Sequence, residues 1–145
     1  MAKLGRVFVD TNVLIYSVDS HDPVKQQVAR EALRQIERER CGVISTQVAQ
    51  EFYVTATRKL GIEPLVAKEM AHALRRLDVV LVDLDLVGEA VDCSILNRLS
   101  FWDALVVVAA EKAGCAEVWT EDMNDGQTIR GVNLHNPFRE VADAR

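Results

Sequence analysis

At 145 residues, with 49% hydrophobic and 27% charged side chains, the chain has the length of one ordinary domain and enough apolar content to bury a full core, which excludes a disordered or fibrous protein. A net charge of −5 argues against a generally basic nucleic-acid coat and leaves room only for a local basic rim. Met1-Ala2-Lys3-Leu4-Gly5 contains no apolar stretch of signal-peptide or membrane-span length, so a cytoplasmic protein without membrane association is expected.

The elements alternate along the chain. Val7-Phe8-Val9 is rich in β-branched and aromatic residues and predicts a buried strand, with Asp10 standing where that strand leaves the sheet. Asp10, Thr11 and Asn12 are three good N-cap residues ahead of a short helix through Val13-Leu14-Ile15-Tyr16 to Val18. Asp22 then caps a helix with Pro23 at its first position, and Val28, Ala32, Leu33 and Ile36 mark its buried face up to Arg40. Gly42 to Ser45 predicts a second strand, followed by a helix capped by Ser45 or Thr46 and stopped at Gly61. On that helix Glu51 shares a stripe with Val48, Phe52 and Thr55, an unusual place for a carboxylate.

Pro64 opens the next helix, Asp78 to Asp83 reads as a third strand, and Asp85 leads into a helix from Leu86 to Leu96. Phe101-Trp102-Asp103 begins the most apolar helix, Ala104 to Ala110, which should cross the centre of the fold before Gly114 stops it. Glu117 to Thr120 gives a fourth strand, Glu121 to Gly126 a polar loop, and Val132 to Leu134 a fifth strand. Strands alternating with helices predict an α/β fold with a parallel sheet covered on both faces.

Cys41, Cys93 and Cys115 are odd in number and widely spaced, which fits small core residues better than a disulfide framework or a zinc site. His21, His72 and His135 form no ligand pair, so any metal would be held by oxygen. Four acids share a position in the alternation: Asp10 after the first strand, Glu51 on the helix after the second, Asp103 opening the buried helix, and Asp122 after the fourth strand. Parallel strands bring these connections to one sheet edge, where ligands of such folds collect. Each acid has a structural alternative. Asp10 is placed to cap a helix, Glu51 to lie along a helix flank, Asp103 to complete the capping box Ser100-x-x-Asp103, and Asp122 to shape a turn ending at Asp125-Gly126.

Carboxylates gathered together repel, and a hard cation, Mg²⁺ or Mn²⁺, is the natural counter-charge for oxygen ligands. Asp122-Met123-Asn124-Asp125-Gly126 is one residue short of a calcium loop, and Asn133 stands where its bidentate Glu belongs. Neither a phosphate loop nor a dinucleotide fingerprint occurs. Mg²⁺ with few carboxylates keeps positions open for water and phosphate oxygens, which suits phosphoryl chemistry. Lys3, Arg6, Arg58 and Lys59 are candidate backbone-binding cations.

Val7-Phe8-Val9-Asp10-Thr11-Asn12-Val13-Leu14, Gln50-Glu51-Phe52, Phe101-Trp102-Asp103-Ala104-Leu105 and Trp119-Thr120-Glu121-Asp122-Met123-Asn124-Asp125-Gly126 together resemble the four motifs of PIN-domain proteins, specifically of VapC-type toxins. The resemblance spans nearly the whole chain and implies a single PIN domain over residues 1–145, a three-layer α/β/α fold with a central parallel five-stranded sheet in the order 3-2-1-4-5. It implies Mg²⁺-dependent endoribonuclease activity leaving 5′-phosphate and 3′-hydroxyl ends, an RNA substrate, a homodimer, and inhibition by a small cognate antitoxin. Asp10, Glu51, Asp103 and Asp122 would be its catalytic and metal-binding acids, with Asp125 sharing or replacing the role of Asp122 and with Thr11, Asn12 and Thr120 as additional site residues.

Two other readings compete. A haloacid-dehalogenase-like phosphatase also begins from an aspartate after a first strand, but its chemistry wants a second acid two residues on, where Asn12 stands. A non-catalytic RNA-binding or partner-binding module would use the acids only to hold a structural ion.

Overall fold

The strand β1 (Val7–Val9) runs through the middle of a six-stranded sheet ordered β3-β2-β1-β4-β6-β5. The computed structural model describes residues 3–143. β1 is parallel to β2 (Gly42–Ser45) on one side and to β4 (Glu117–Trp119) on the other, and β3 (Asp78–Val80) and β6 (Val132–His135) extend the parallel set outward. The expected order of five parallel strands is therefore present, β6 being the expected fifth. The sheet differs from the expectation by a sixth strand, β5 (Thr128–Ile129), which pairs antiparallel with the outer edge of β6. The physical reason is a tight hairpin: Arg130 and Gly131 both adopt positive φ, 52° and 77°, the backbone that a two-residue turn between twisted strands requires.

Each crossover carries helices. α1 (Thr11–Val18) and α2 (Pro23–Glu39) link β1 to β2, and α3 (Thr46–Arg58), α4 (Pro64–Ala73) and a 3₁₀ turn (Leu74–Arg76) link β2 to β3. α5 (Leu84–Asn97) and α6 (Phe101–Lys112) return the chain to β4 on the far side of β1, and α7 (Arg139–Asp143) follows β6. The direction of winding thus reverses at β1, and in folds of this kind ligands collect outside the carboxyl ends of the strands at such a point.

Hydrophobic burial fixes this arrangement. Val7, Phe8 and Val9 are almost wholly buried, as are all seven residues from Ala104 to Ala110, and α6 packs against β1, β2, β4 and β6. At the opposite end of the sheet Gly42 lets β2 pass close to two side chains: a Cβ there would lie 2.6 Å from Ile36 Cγ2 and 2.5 Å from Leu77 Cδ2. Cys41, Cys93 and Cys115 are free and buried. No single helix among the described residues is long and apolar enough to cross a membrane.

Several boundaries differ from the sequence reading. α1 begins at Thr11, so Asp10 itself is the cap. β3 ends at Val80, and the helix after it starts at Leu84 under an Asp83 cap, because the Asp83 carboxylate accepts from the Leu86 amide.

Candidate functional site

The register of the parallel strands builds the site. Val9 pairs with Trp119, so the next residues, Asp10 and Thr120, leave the sheet side by side. The Asp10 amide donates to the Trp119 carbonyl at 3.0 Å, and the Thr120 amide donates to that of His135 at 2.9 Å. Asp10 is only 6% exposed. Its Oδ1 accepts from the Thr11 amide at 2.8 Å, while Oδ2 accepts from the Thr120 hydroxyl at 2.8 Å and, more weakly, from Asn12 Nδ2 at 3.4 Å. Capping and site geometry are therefore compatible at this residue.

Asn12 ties the fourth acid to the first. Its Nδ2 also reaches Asp122 Oδ2 at 3.1 Å and Thr120 Oγ1 at 3.2 Å, and its Oδ1 accepts from the Glu121 amide at 3.1 Å. The Asp122 amide donates in turn to Thr120 Oγ1 at 3.1 Å. The exposed Asp122 is thereby held beside the buried Asp10 by neutral groups.

Glu51 enters from α3. The Ser45 hydroxyl caps that helix by accepting from the Val48 amide, which aims its first turns across the carboxyl end of β2. Thr11 Oγ1 donates to Glu51 Oε2 at 2.8 Å, and Gln47 Nε2, one turn earlier on the same helix, donates to Glu51 Oε1 at 2.7 Å. Thr11 thus touches two acids at once, Asp10 through its amide and Glu51 through its hydroxyl. Asp103 stands in the first turn of α6, where its amide donates to Ser100 Oγ at 3.1 Å.

The electrostatics show how these acids sense one another. The Asp10 carboxyl is pushed up from 3.8 to about 6, first by burial and further by the charges of Asp122 and Glu51, against the hydrogen bonds from Thr120 and Thr11. Asp103 is also raised, first by burial and then by Asp122 and Glu51, against a hydrogen bond from Ser100. Asp122 and Glu51 therefore act on both of the other acids. None of the salt bridges among the described residues brings a lysine or arginine to any of the four.

Asp125 is engaged elsewhere. Its oxygens accept from the Asn136 amide at 2.8 Å and from Arg139 at 2.7 Å, and these bonds hold its carboxyl below the usual range. It anchors the loop after β4 at its far end. The near end is held by Glu121, which accepts from Tyr16 Oη at 2.9 Å and from Lys25 Nζ, and the Lys25 ammonium lies 4.7 Å above the Tyr16 ring centre. Of the candidate basic residues, Arg6 is committed at the opposite end of the sheet, where it bonds the Ala113 carbonyl and Asp78, each at 2.8 Å.

Sequence reading missed Gln47 and the Lys25-Glu121-Tyr16 latch. The i, i+4 spacing of Gln47 and Glu51 was a usable signal for the first. The latch joins residues 96 and 105 positions apart and leaves no local trace.

A hard divalent cation suits this donor set. Every candidate ligand is an oxygen, no lysine or arginine among the described residues pairs with the acids, and burial disfavours the Asp10 anion. No three His, Cys, Asp or Glu residues among those described are gathered closely enough to hold an ion alone. Mg²⁺ commonly takes one or two carboxylates and keeps waters or phosphate oxygens in its remaining positions, so it does not require three such residues.

The PIN domain family model matches residues 7–124, and the chain belongs to that family. Comparison with curated proteins finds no match. Solved structures share the fold at low identity. A toxin–antitoxin complex from Klebsiella pneumoniae aligns with a TM-score of 0.65 and 22% identity over 87% of this chain and 94% of its own. VapC20 of Mycobacterium tuberculosis, a toxin that cleaves the sarcin-ricin loop, aligns at 0.62 and 23% over 80% and 91%. DNA-bound VapBC from Salmonella typhimurium aligns at 0.66 and 18% over 92% and 99%.

Proposed function

We propose that the chain is a Mg²⁺-dependent endoribonuclease, with Mn²⁺ as an alternative ion, and the toxin of a VapBC-like toxin–antitoxin pair. The observation that carries the reading is the acid group in which Asp10, Glu51 and Asp122 are held by hydroxyl and amide groups and Asp103 senses the charges of Asp122 and Glu51, with no lysine or arginine among the described residues paired to any of the four. Membership of the PIN domain family and the toxin structures that share the fold support it. A small cognate antitoxin belongs to the same reading, supported by the Klebsiella pneumoniae and Salmonella typhimurium neighbours, which are toxin–antitoxin assemblies; a homodimer and a cytoplasmic setting complete the proposal.

In this reading Asp10 and Asp103 are the principal ligands, while Glu51 and Asp122 complete the charge and orient water. The ion's contribution is Lewis acidity, which makes water a better nucleophile and offsets charge on the phosphoryl oxygens. Water oxygen would bond to phosphorus as the bond to the 3′ oxygen breaks, and the proton lost by the water would be balanced by one gained by the departing 3′ oxygen, giving a 5′-phosphate and a 3′-hydroxyl. The chain's own work is positional: Thr120 and the Thr11 amide fix both oxygens of Asp10, Asn12 holds Asp122 beside it, and Gln47 and Thr11 hold Glu51. Because these donors are neutral, they orient the acids without discharging them.

The test is cleavage of structured RNA by purified protein with Mg²⁺ and then with EDTA. Cleavage should vanish with EDTA and fall by at least about 100-fold in Asp10→Asn and Asp103→Asn. Unchanged cleavage in both variants would refute the mechanism. RNA retention without cleavage, in protein freed of any partner, would favour a binding module.

A further inference from the structure

Among the described residues one buried side-chain polar atom has no hydrogen-bond partner, and it is Gln47 Oε1. Gln47 is 6% exposed and sits in the first turn of α3. Its amide cannot be turned over to relieve the oxygen. Nε2 donates to Glu51 Oε1 at 2.7 Å, and a carboxylate offers only acceptors, so the reversed amide would set oxygen against oxygen. The Glu51 charge therefore dictates the amide orientation and leaves Oε1 without a donor. A buried acceptor left unsatisfied is destabilising, and an apolar side chain of similar length would avoid it.

What the glutamine gains is control of Glu51. A half-exposed glutamate on a helix has three freely rotating torsions, yet both oxygens of this one are held, Oε1 by Gln47 and Oε2 by Thr11. A single donor would leave the carboxylate free to pivot about it. Two donors from different elements, α3 and the start of α1, fix the plane of the group and leave each oxygen with further acceptor capacity.

We infer that Gln47 is a positioning residue that locks Glu51 toward a hard divalent cation, and that its unsatisfied oxygen is retained for that purpose. The inference rests on the metal reading of the site. It makes Gln47 a supporting group behind a metal-facing carboxylate, a position whose loss characteristically weakens metal affinity about 10-fold to 100-fold.

The test is Gln47→Met, which keeps length and removes both the donor and the orphaned oxygen, with Gln47→Leu as a second variant should the first not fold. Thermal unfolding in EDTA and calorimetric titration with Mg²⁺ and Mn²⁺ are read together on wild type and variant. The expected result is a Tm in EDTA within about 3 °C of wild type, because the lost bond and the removed orphan offset each other. The dissociation constant for the ion should rise about 10-fold. A wild-type protein that binds the ion and a variant that binds it equally well would overturn the inference and leave the metal reading intact. A markedly lower Tm with unchanged affinity would overturn it too, as the mark of a purely structural glutamine. A wild-type protein that binds neither ion would instead overturn the metal reading, and with it the inference.

Discussion

Asp10→Asn should stabilise the metal-free protein at neutral pH while disabling the site. The Asp10 carboxyl ordinarily ionises near 3.8 and in the fold near 6, so the native protein holds this proton to higher pH than the unfolded chain. Ionised Asp10 therefore lowers stability progressively from about pH 4 to pH 6, fully above that window and not at all below it. The gap of roughly two pH units corresponds to about 3 kcal/mol. Asparagine imitates the uncharged acid but pairs less well. Its Oδ1 can still accept from the Thr11 amide, whereas its Nδ2 would face a Thr120 hydroxyl that already accepts from Asn12 and from the Asp122 amide. That mismatch costs about 1 kcal/mol, leaving a net gain of about 2 kcal/mol. In EDTA at pH 7.5 the Tm should rise by roughly 6 °C, and the gain should vanish or reverse near pH 4. Calorimetry across that pH range, in EDTA throughout, is the assay. A variant no more stable than wild type at pH 7.5, or a gain that persists at pH 4, would refute the assignment of burial as the dominant cause.

Two further substitutions probe the frame. Thr120→Val keeps the shape of a side chain that is 1% exposed but removes the hydroxyl serving Asp10, Asn12 and the Asp122 amide, so about 2 kcal/mol of stability should be lost in urea unfolding. An unchanged midpoint would mean that water replaces the hydroxyl. Gly42→Ala drives a methyl group against Ile36 and Leu77 at the opposite end of the sheet, and overpacking there should cost about 1–3 kcal/mol with no change in the ion affinity of the site. A Tm equal to that of wild type would show that Leu77 moves aside freely.

The central architecture was legible because it rests on local and strong signals. β1 announces itself by three apolar residues ending at an acid, and α6 by a seven-residue apolar run that could be a strand by itself but continues in helix formers to Lys112 and stops at Gly114. The β5 hairpin was not legible. Its outer strand has two residues, and its turn uses Arg130 at a positive φ where asparagine or glycine would have signalled the bend. Arg130 is held there by Glu89 of α5 and Glu111 of α6, at 2.8 and 2.9 Å, which no sequence window contains. At the site the four candidate acids could be listed from their places in the alternation of strands and helices, but the competing claims of Asp122 and Asp125 could not be separated. Only the fold brings Arg139 and the Asn136 amide to Asp125 and Asn12 to Asp122.

The placement of β1 also governs when the site can exist. β1, the earliest strand among the described residues, lies inside the sheet, and its eventual neighbour β4 begins only at Glu117. Asp10 waits for a hydroxyl 110 positions downstream, and Asn12 for a carboxylate equally distant. These are the costliest contacts to close, since the intervening chain must be ordered before they return any stability. At a synthesis rate of about 5–20 residues per second, the 110 positions that separate Asp10 from Thr120 take about 5–20 s to make. A fragment that stops short of β4 lacks Thr120 and Asp122, so the hydrogen bonds that hold Asp10 and Asn12 at this edge form only once the last third of the chain has folded against the first.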